Sequence, residues 1–197
     1  MTAATDPAER PLRADAQRNK DKLLAVAVRA FSQAGGEVTL ESIAKQAGVG
    51  IGTLYRHFPT REALVAAAYR REVEQLCQAV AALRAELPPD QALRSWMERF
   101  VDYVATKRGM ADALQLVVST SDANIYADTY AQIVAALRSL LDDGIAAGLI
   151  RPDAEAGDVL RAMRGAWLVT DEQHRADQAG RLLDLLMDGL RYGAGTR

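Results

Sequence analysis

One cysteine, Cys77, and two histidines, His57 and His174, are all that this 197-residue chain offers to thiol or imidazole chemistry. A lone thiol cannot close an internal disulfide, which suits a reducing cytoplasm. Three such side chains so far apart give no histidine/cysteine metal cluster. His174, beside Asp171 and Glu172, reads as a solvated helix end. A Gly-x-Ser-x-Gly nucleophile elbow is missing too. The glycines of Gly48-Val49-Gly50-Ile51-Gly52 resemble a phosphate loop only superficially, because no strand precedes them and no Gly-Lys-Ser/Thr ending follows. These absences argue against an enzyme, a metal site or a cofactor. No uninterrupted apolar run reaches the roughly 18 residues of a membrane span. Met1 to Ala14 is mostly polar and lacks the apolar core of a secretory signal. Nor does any stretch alternate with the period of a strand.

What is present is helical. Ala, Leu and Arg, all good helix formers, are abundant. The hydrophobic fraction of 49% and the charged fraction of 25% are ordinary for a soluble globular protein. The length allows one sizeable core, or a small domain attached to a larger one. Net charge is −2, but it is unevenly spread. Between Arg13 and Arg61, eight cations (Arg13, Arg18, Lys20, Lys22, Arg29, Lys45, Arg56, Arg61) face four anions (Asp15, Asp21, Glu37, Glu41). A basic front on an acidic body points to a polyanionic partner for the front, or to ordinary surface variation.

Residues 1–14, with Pro7 and Pro11, read as a flexible arm. Apolar residues at helical spacing predict a helix from about Asp15 to Ala34, closed by Gly35-Gly36. Leu40 to Ala47 forms the next, with Thr39 placed to cap it and Gly48 to turn the chain. A very short helix, about Ile51 to His57, stops at Phe58-Pro59. A long one then runs from about Thr60 to Glu86, its seam being Tyr69, Val73, Leu76, Val80, Leu83 and Leu87. Pro88-Pro89 ends it, and Asp90 is placed to cap a helix to about Ala105, with Thr106 to Gly109 as a turn. Further helices follow over about 110–118, 123–147 (with Tyr130, Val134, Leu137 and Leu141 on one face and Gly148 as cap), 153–173 and 177–191. The expected fold is all-α: an N-terminal three-helix helix-turn-helix domain (15–59) plus a C-terminal helical bundle (60–197).

The informative stretch is Thr39 to Phe58. Two short helices about a glycine turn, behind a supporting helix, are the layout of a helix-turn-helix. Ala44 is small enough for the helices to cross closely, while Ile43, Val49 and Leu54 can fill the wedge between them. The free side of the second helix can then enter a DNA major groove. Ile43-Ala44, Ala47-Gly48-Val49, Gly52-Thr53-Leu54-Tyr55-Arg56-His57-Phe58 and Arg61-Glu62-Ala63-Leu64 resemble the DNA-binding domain of the TetR, or tetracycline-repressor-like, family. The likeness is detailed over about Asp15 to Leu64; beyond that it rests on helix number and length. Gly50 stands where that family usually has Ser, and Arg61 where Lys is usual.

The resemblance implies that Gly50, Ile51, Gly52 and Thr53 open the recognition helix nearest the base edges. It makes Tyr55, His57 and Arg56 backbone-positioning residues, with Arg56 alternatively on the open surface. Thr39 and Arg61, at helix starts, are placed for phosphate, although Thr39 can equally be a plain N-cap. Arg18, Lys20 and Lys22 can grip flanking backbone or simply be solvated.

For the body, the resemblance implies a small-molecule effector cavity lined by Trp96, Phe100, Tyr103, Met110, Leu114, Val117, Tyr126, Tyr130 and Trp167, all of which can equally be plain core. It also implies a homodimer through the last two helices, where Val159, Leu160, Met163, Leu168, Leu182, Leu183, Leu186 and Leu190 pack and Gly165 and Gly189 admit close backbones. The alternative is that these helices only close the monomer's own core. The expected function is a cytoplasmic, effector-responsive repressor that binds a palindromic operator. The rival reading is a helical adaptor that binds a protein partner.

Overall fold

A computed structural model describes residues 9–34, 38–120, 122–168 and 175–194. Among them are nine α-helices and no strand: α1 (Glu9–Ala34), α2 (Leu40–Ala47), α3 (Ile51–His57), α4 (Arg61–Glu86), α5 (Pro89–Gly109), α6 (Ala111–Thr120), α7 (Ile125–Ala146), α8 (Ala156–Leu168) and α9 (Arg175–Arg191). The all-α architecture is the one the sequence predicts.

Several boundaries differ. Helix α1 begins at Glu9, so residues 9–14, expected in the N-terminal arm, are helical. Pro11 is compatible with this because it falls in the first turn, where its missing N–H has no intrahelical partner to lose. Helix α5 starts at Pro89 and continues through Thr106 to Gly109, so the expected turn is helical and Asp90 lies inside the first turn. The expected extension of α8 to Gln173, and His174, fall outside the described residues.

The described residues form two compact units. The first contains the chain up to Arg71 together with Thr106–Ala123; the second contains Glu72–Ala105 and the chain from Asn124 onward. Alongside residues 15–59, the first unit therefore includes the start of α4 and all of α6. Its core is built from Leu23, Leu24, Ala27 and Phe31 of α1, Ile43, Ala44 and Ala47 of α2, Leu54 of α3, Leu64, Val65 and Tyr69 of α4, and Met110, Leu114 and Val117 of α6, all buried. Arginines fasten its helices. The Arg71 Nη1 donates to the Asp21 carbonyl and to Asp21 Oδ1, each at 3.1 Å. Arg70 pairs with Asp122.

In the second unit, the α4 seam from Val73 through Leu76 and Val80 to Leu83 is buried as expected. Trp96 and Phe100 stack at 5.8 Å, and Phe100 meets Tyr103 at the same distance. The Trp96 indole Nε1 donates to the Leu76 carbonyl at 3.0 Å, which satisfies the polar tip of a fully buried ring. On α7 the buried stripe is Ile125, Thr129, Ile133, Leu137, Leu140 and Leu141. Tyr130, placed with Leu137 by the sequence pattern, is instead exposed. Helix α9 buries Ala179, Leu183, Met187 and Leu190. Arg94 holds it to α5, donating from Nε to Asp184 Oδ1 at 2.9 Å and from Nη2 to the Gly180 carbonyl at 3.3 Å. Arg191 pairs with Asp90 at 2.7 Å. Cys77 is half-buried, and desolvation raises its thiol pKa, which lowers its reactivity.

One glycine of the first unit is required by packing. A Cβ on Gly109 would lie 2.8 Å from the Ser32 carbonyl carbon at the end of α1, and backbone does not yield cheaply. Gly109→Ala is expected to destabilise the protein by about 2 kcal/mol in urea denaturation. Wild-type stability in that variant would show the contact to be looser than described.

Candidate nucleic-acid interface

The segment from Thr39 to Phe58 folds through local chemistry that can be followed residue by residue. Thr39 is extended (φ −89°, ψ 151°), and its Oγ1 accepts the Ser42 N–H at 3.2 Å. That is the N-cap of α2; in proteins such a cap contributes roughly 1 kcal/mol. At the other end Gly48 adopts φ 66° and ψ 32°, a left-handed conformation that strains any residue bearing a Cβ. The turn is locked as the Gly48 N–H reaches the Lys45 carbonyl (3.2 Å) and the Val49 N–H the Ala44 carbonyl (3.0 Å), satisfying two free carbonyls at the helix end. The chain extends again at Gly50 (φ −64°, ψ 142°), whose carbonyl accepts the N–H groups of Thr53 (2.9 Å) and Leu54 (3.2 Å) to start α3.

Helix α3 then divides into two faces. Leu54 is buried inward, and Phe58, just past its end, is buried as well. Ile51, Gly52, Tyr55 and Arg56 face solvent, while Thr53 and His57 are half-exposed. Ile51 and Tyr55 are 38% and 45% exposed, one turn apart on the same open face. Gly50 has no side-chain cap to offer α3, so the family's usual serine hydroxyl is missing where it would act. A Cβ on Gly52 would meet nothing within 4 Å, so the fold itself does not need a glycine there.

The remaining expected contacts sort differently. Thr39 is exposed and is the N-cap of α2. Lys22 is exposed, Lys20 half-buried, and Arg18 pairs with Asp15 beside it on α1. Arg61 is half-buried: its Nη1 donates to the Val38 carbonyl and its guanidinium lies over the Phe31 ring, 4.9 Å from the centroid. Nothing in the residue pattern reveals that arrangement, because the partners are 23 and 30 positions away.

The expected effector residues are divided between the two units. Trp96, Phe100 and Tyr103 are core of the second, where Tyr126 is half-buried and Tyr130 exposed. Met110, Leu114 and Val117 are core of the first. The Trp167 side chain lies outside the described residues. A further feature of the second unit is an open apolar groove of about 550 Å³ on α8 and α9, lined mainly by Ala162, Leu182, Leu185, Leu186 and Gly189. Leu185 is 69% exposed there. Leu182, Leu186 and Gly189 of this groove are among the residues expected to pair two copies, whereas Leu185 is not; with Leu185 they repeat at i, i+3, i+4 and i+7, which marks a second apolar stripe on α9. Of the leucines expected to pair two copies, Leu160, Leu183 and Leu190 are buried in the protomer's own core.

Comparison with known proteins is consistent with this geometry. Residues 23–68 match the model for bacterial regulatory proteins of the tetR family, and residues 88–192 match that for the C-terminal domain of SbtR-like transcriptional regulators. The crystal structure of the TetR transcriptional regulator SCO0520 from Streptomyces coelicolor is 52% identical, covers 87% of this chain and 98% of its own, and superposes with a TM-score of 0.82. The transcriptional repressor KstR of Rhodococcus jostii is 28% identical over 99% of this chain and 93% of its own length. KstR of Mycolicibacterium smegmatis is 36% identical over 78 residues, which is 39% of this chain and only 38% of that protein. A left-handed glycine turn between two short helices, with an open face on the second, is thus found in a chain matched to these regulators over most of its length: it belongs to the TetR family of DNA-binding transcriptional regulators.

Proposed function

We propose that this chain represses transcription as a homodimer that grips a palindromic operator and answers to a small apolar effector. The observation that carries the proposal is the open face of α3, with Leu54 sealed beneath it. Gly50 and Gly52 leave room for close approach to a base pair, Ile51 suits a thymine methyl, and Thr53 can hydrogen-bond a base edge. Tyr55, Arg56 and His57, with Thr39 across the turn, are suited to phosphates, which fix register without reading sequence. Repression is supported by the KstR relatives, both described as repressors.

Two-fold pairing follows from the task and from the surface. Recognition helices must be spaced to match half-sites about 34–36 Å apart. Helix α9 buries one apolar stripe within the protomer and leaves a second open to the groove, and a second copy of the same groove would cover it. The effector is proposed to contact the aromatic cluster of Trp96, Phe100 and Tyr103 in the second unit, with Tyr126 and Tyr130 as further candidates. Helix α4 belongs to both units, so an effector that favours one packing of the second can alter the helix that enters the first. The effector shifts DNA affinity only by its differential affinity for the two states. A cytoplasmic location follows from such a role, and no described helix is long and apolar enough to cross a membrane.

Gly52→Ala separates fold from function. With no neighbour to strike, the new methyl is expected to stabilise α3 by up to about 1 kcal/mol. It should nonetheless weaken binding by at least about five-fold to a duplex that the wild type selects from a randomised pool. Unchanged affinity in a fluorescence-anisotropy titration would remove α3 from the interface. On the same duplex, Leu185→Glu should give a monomer in sedimentation and lose most of the affinity. A wild-type mass near the 21.3 kDa of one chain would rule out the dimer.

A further inference from the structure

Arg61 is the first residue of α4, a position where the helix dipole disfavours a cation unless something nearby compensates. Among the partners of its guanidinium are two that compensate. In its plane, Nη1 donates to the carbonyl of Val38, the residue immediately before the Thr39 cap of α2. Its Cζ lies over the ring of Phe31, 4.9 Å from the centroid; Phe31 is a fully buried residue of α1. A flat, delocalised cation can donate in its plane and stack on its face at once, which the point charge of a lysine cannot do. One side chain therefore ties together α1, the lead-in to α2 and the start of α4.

We propose that Arg61 serves DNA binding as a positioning residue, fixing the start of α2 against α1, and not as a phosphate ligand. The proposal rests on the reading of α3 as the DNA-facing helix. Helix α3 is hung from α2 through the rigid Gly48 turn, so the angle of α2 sets the angle at which Ile51, Gly52 and Tyr55 meet a groove. Drawing the guanidinium off the ring and the carbonyl towards a phosphate would loosen the α2 entry it holds.

The two roles differ in their salt dependence. Removing one phosphate ligand from a protein–DNA complex flattens the slope of log K against log salt by about 0.9, so removing one from each chain of a dimer changes it by about 1.8. The experiment compares wild type, Arg61→Ala and Tyr55→Ala on a duplex selected by the wild type from a randomised pool, between about 50 and 200 mM salt. Amide hydrogen exchange over residues 40–47 is followed without DNA. Positioning predicts that Arg61→Ala lowers affinity about ten-fold with an unchanged slope. It also predicts faster exchange over residues 40–47, the Ser42 amide included, with none over α8. A flattened slope, or unchanged exchange over 40–47, overturns the proposal. Loss of affinity in Tyr55→Ala but not in Arg61→Ala overturns the positioning role alone. If neither variant loses affinity, the assignment of α3 to the DNA face fails with it. Should Arg61→Ala not fold, Phe31→Leu keeps the apolar bulk and removes the stacking face. Positioning then predicts lower affinity at full slope, and wild-type affinity overturns it.

Discussion

The open face of α3 depends on the chain reversing at Gly48. The left-handed backbone there lets the Val49 amide fold back on the Ala44 carbonyl, so α3 leaves α2 at a fixed angle with no slack loop between them. Ala44 is small enough to permit the crossing, and Ile43 and Leu54 fill the wedge and are fully buried. A left-handed residue with a Cβ would be strained by roughly 1–2 kcal/mol, enough to favour a different exit for the chain. Because α3 has only seven residues, too few for a stable isolated helix, it exists by virtue of this packing. Its exposed face is thus a product of the turn as much as of its own sequence.

The second unit depends on a different device. Helix α9 is apolar on two sides, and one protomer can bury only one of them. Arg94 and Arg191 decide which, by tying α9 to α5 near its middle and at its end. Both ion pairs are partly exposed, and such pairs individually contribute little to stability. What they supply is orientation. With Leu183, Met187 and Leu190 turned inward, Leu182, Leu185 and Leu186 are left along an open groove. This open apolar groove is the surface on which the proposed pairing of two copies rests.

Arginine recurs as the fastener between helices distant in sequence: Arg61 to Val38, Arg70 to Asp122, Arg71 to Asp21, Arg84 to Asp143, Arg94 to Asp184. The basic front identified from charge is therefore not a uniform field available to a polyanion. Within it Arg61 holds the lead-in to α2 and Arg18 pairs with Asp15 beside it, while Lys22, Arg29, Lys45 and Arg56 are exposed. Net charge describes long-range attraction; it does not distinguish a cation that waits for a phosphate from one that braces a helix.

The amino-acid sequence alone determined what is settled within a few residues. The caps at Thr39 and Gly48, the bounds of α2 and α3, the burial of Leu54 and the all-helical fold all follow from hydrogen bonds and apolar spacing that span one or two turns. Tertiary structure decided whatever needs a distant neighbour. On α7 both the Tyr130–Val134 side and the Thr129–Ile133 side carry apolar groups, so period alone does not choose between them, and packing selected the second. Trp96 and Met110, expected to line one cavity, are buried in different units, an assignment that local spacing does not reveal. Nor does local spacing reveal that Arg61 meets Phe31 and Val38, which lie far from it in sequence. A side chain's type limits what it can bind, but which partner it meets depends on long-range contacts that leave no trace in local spacing.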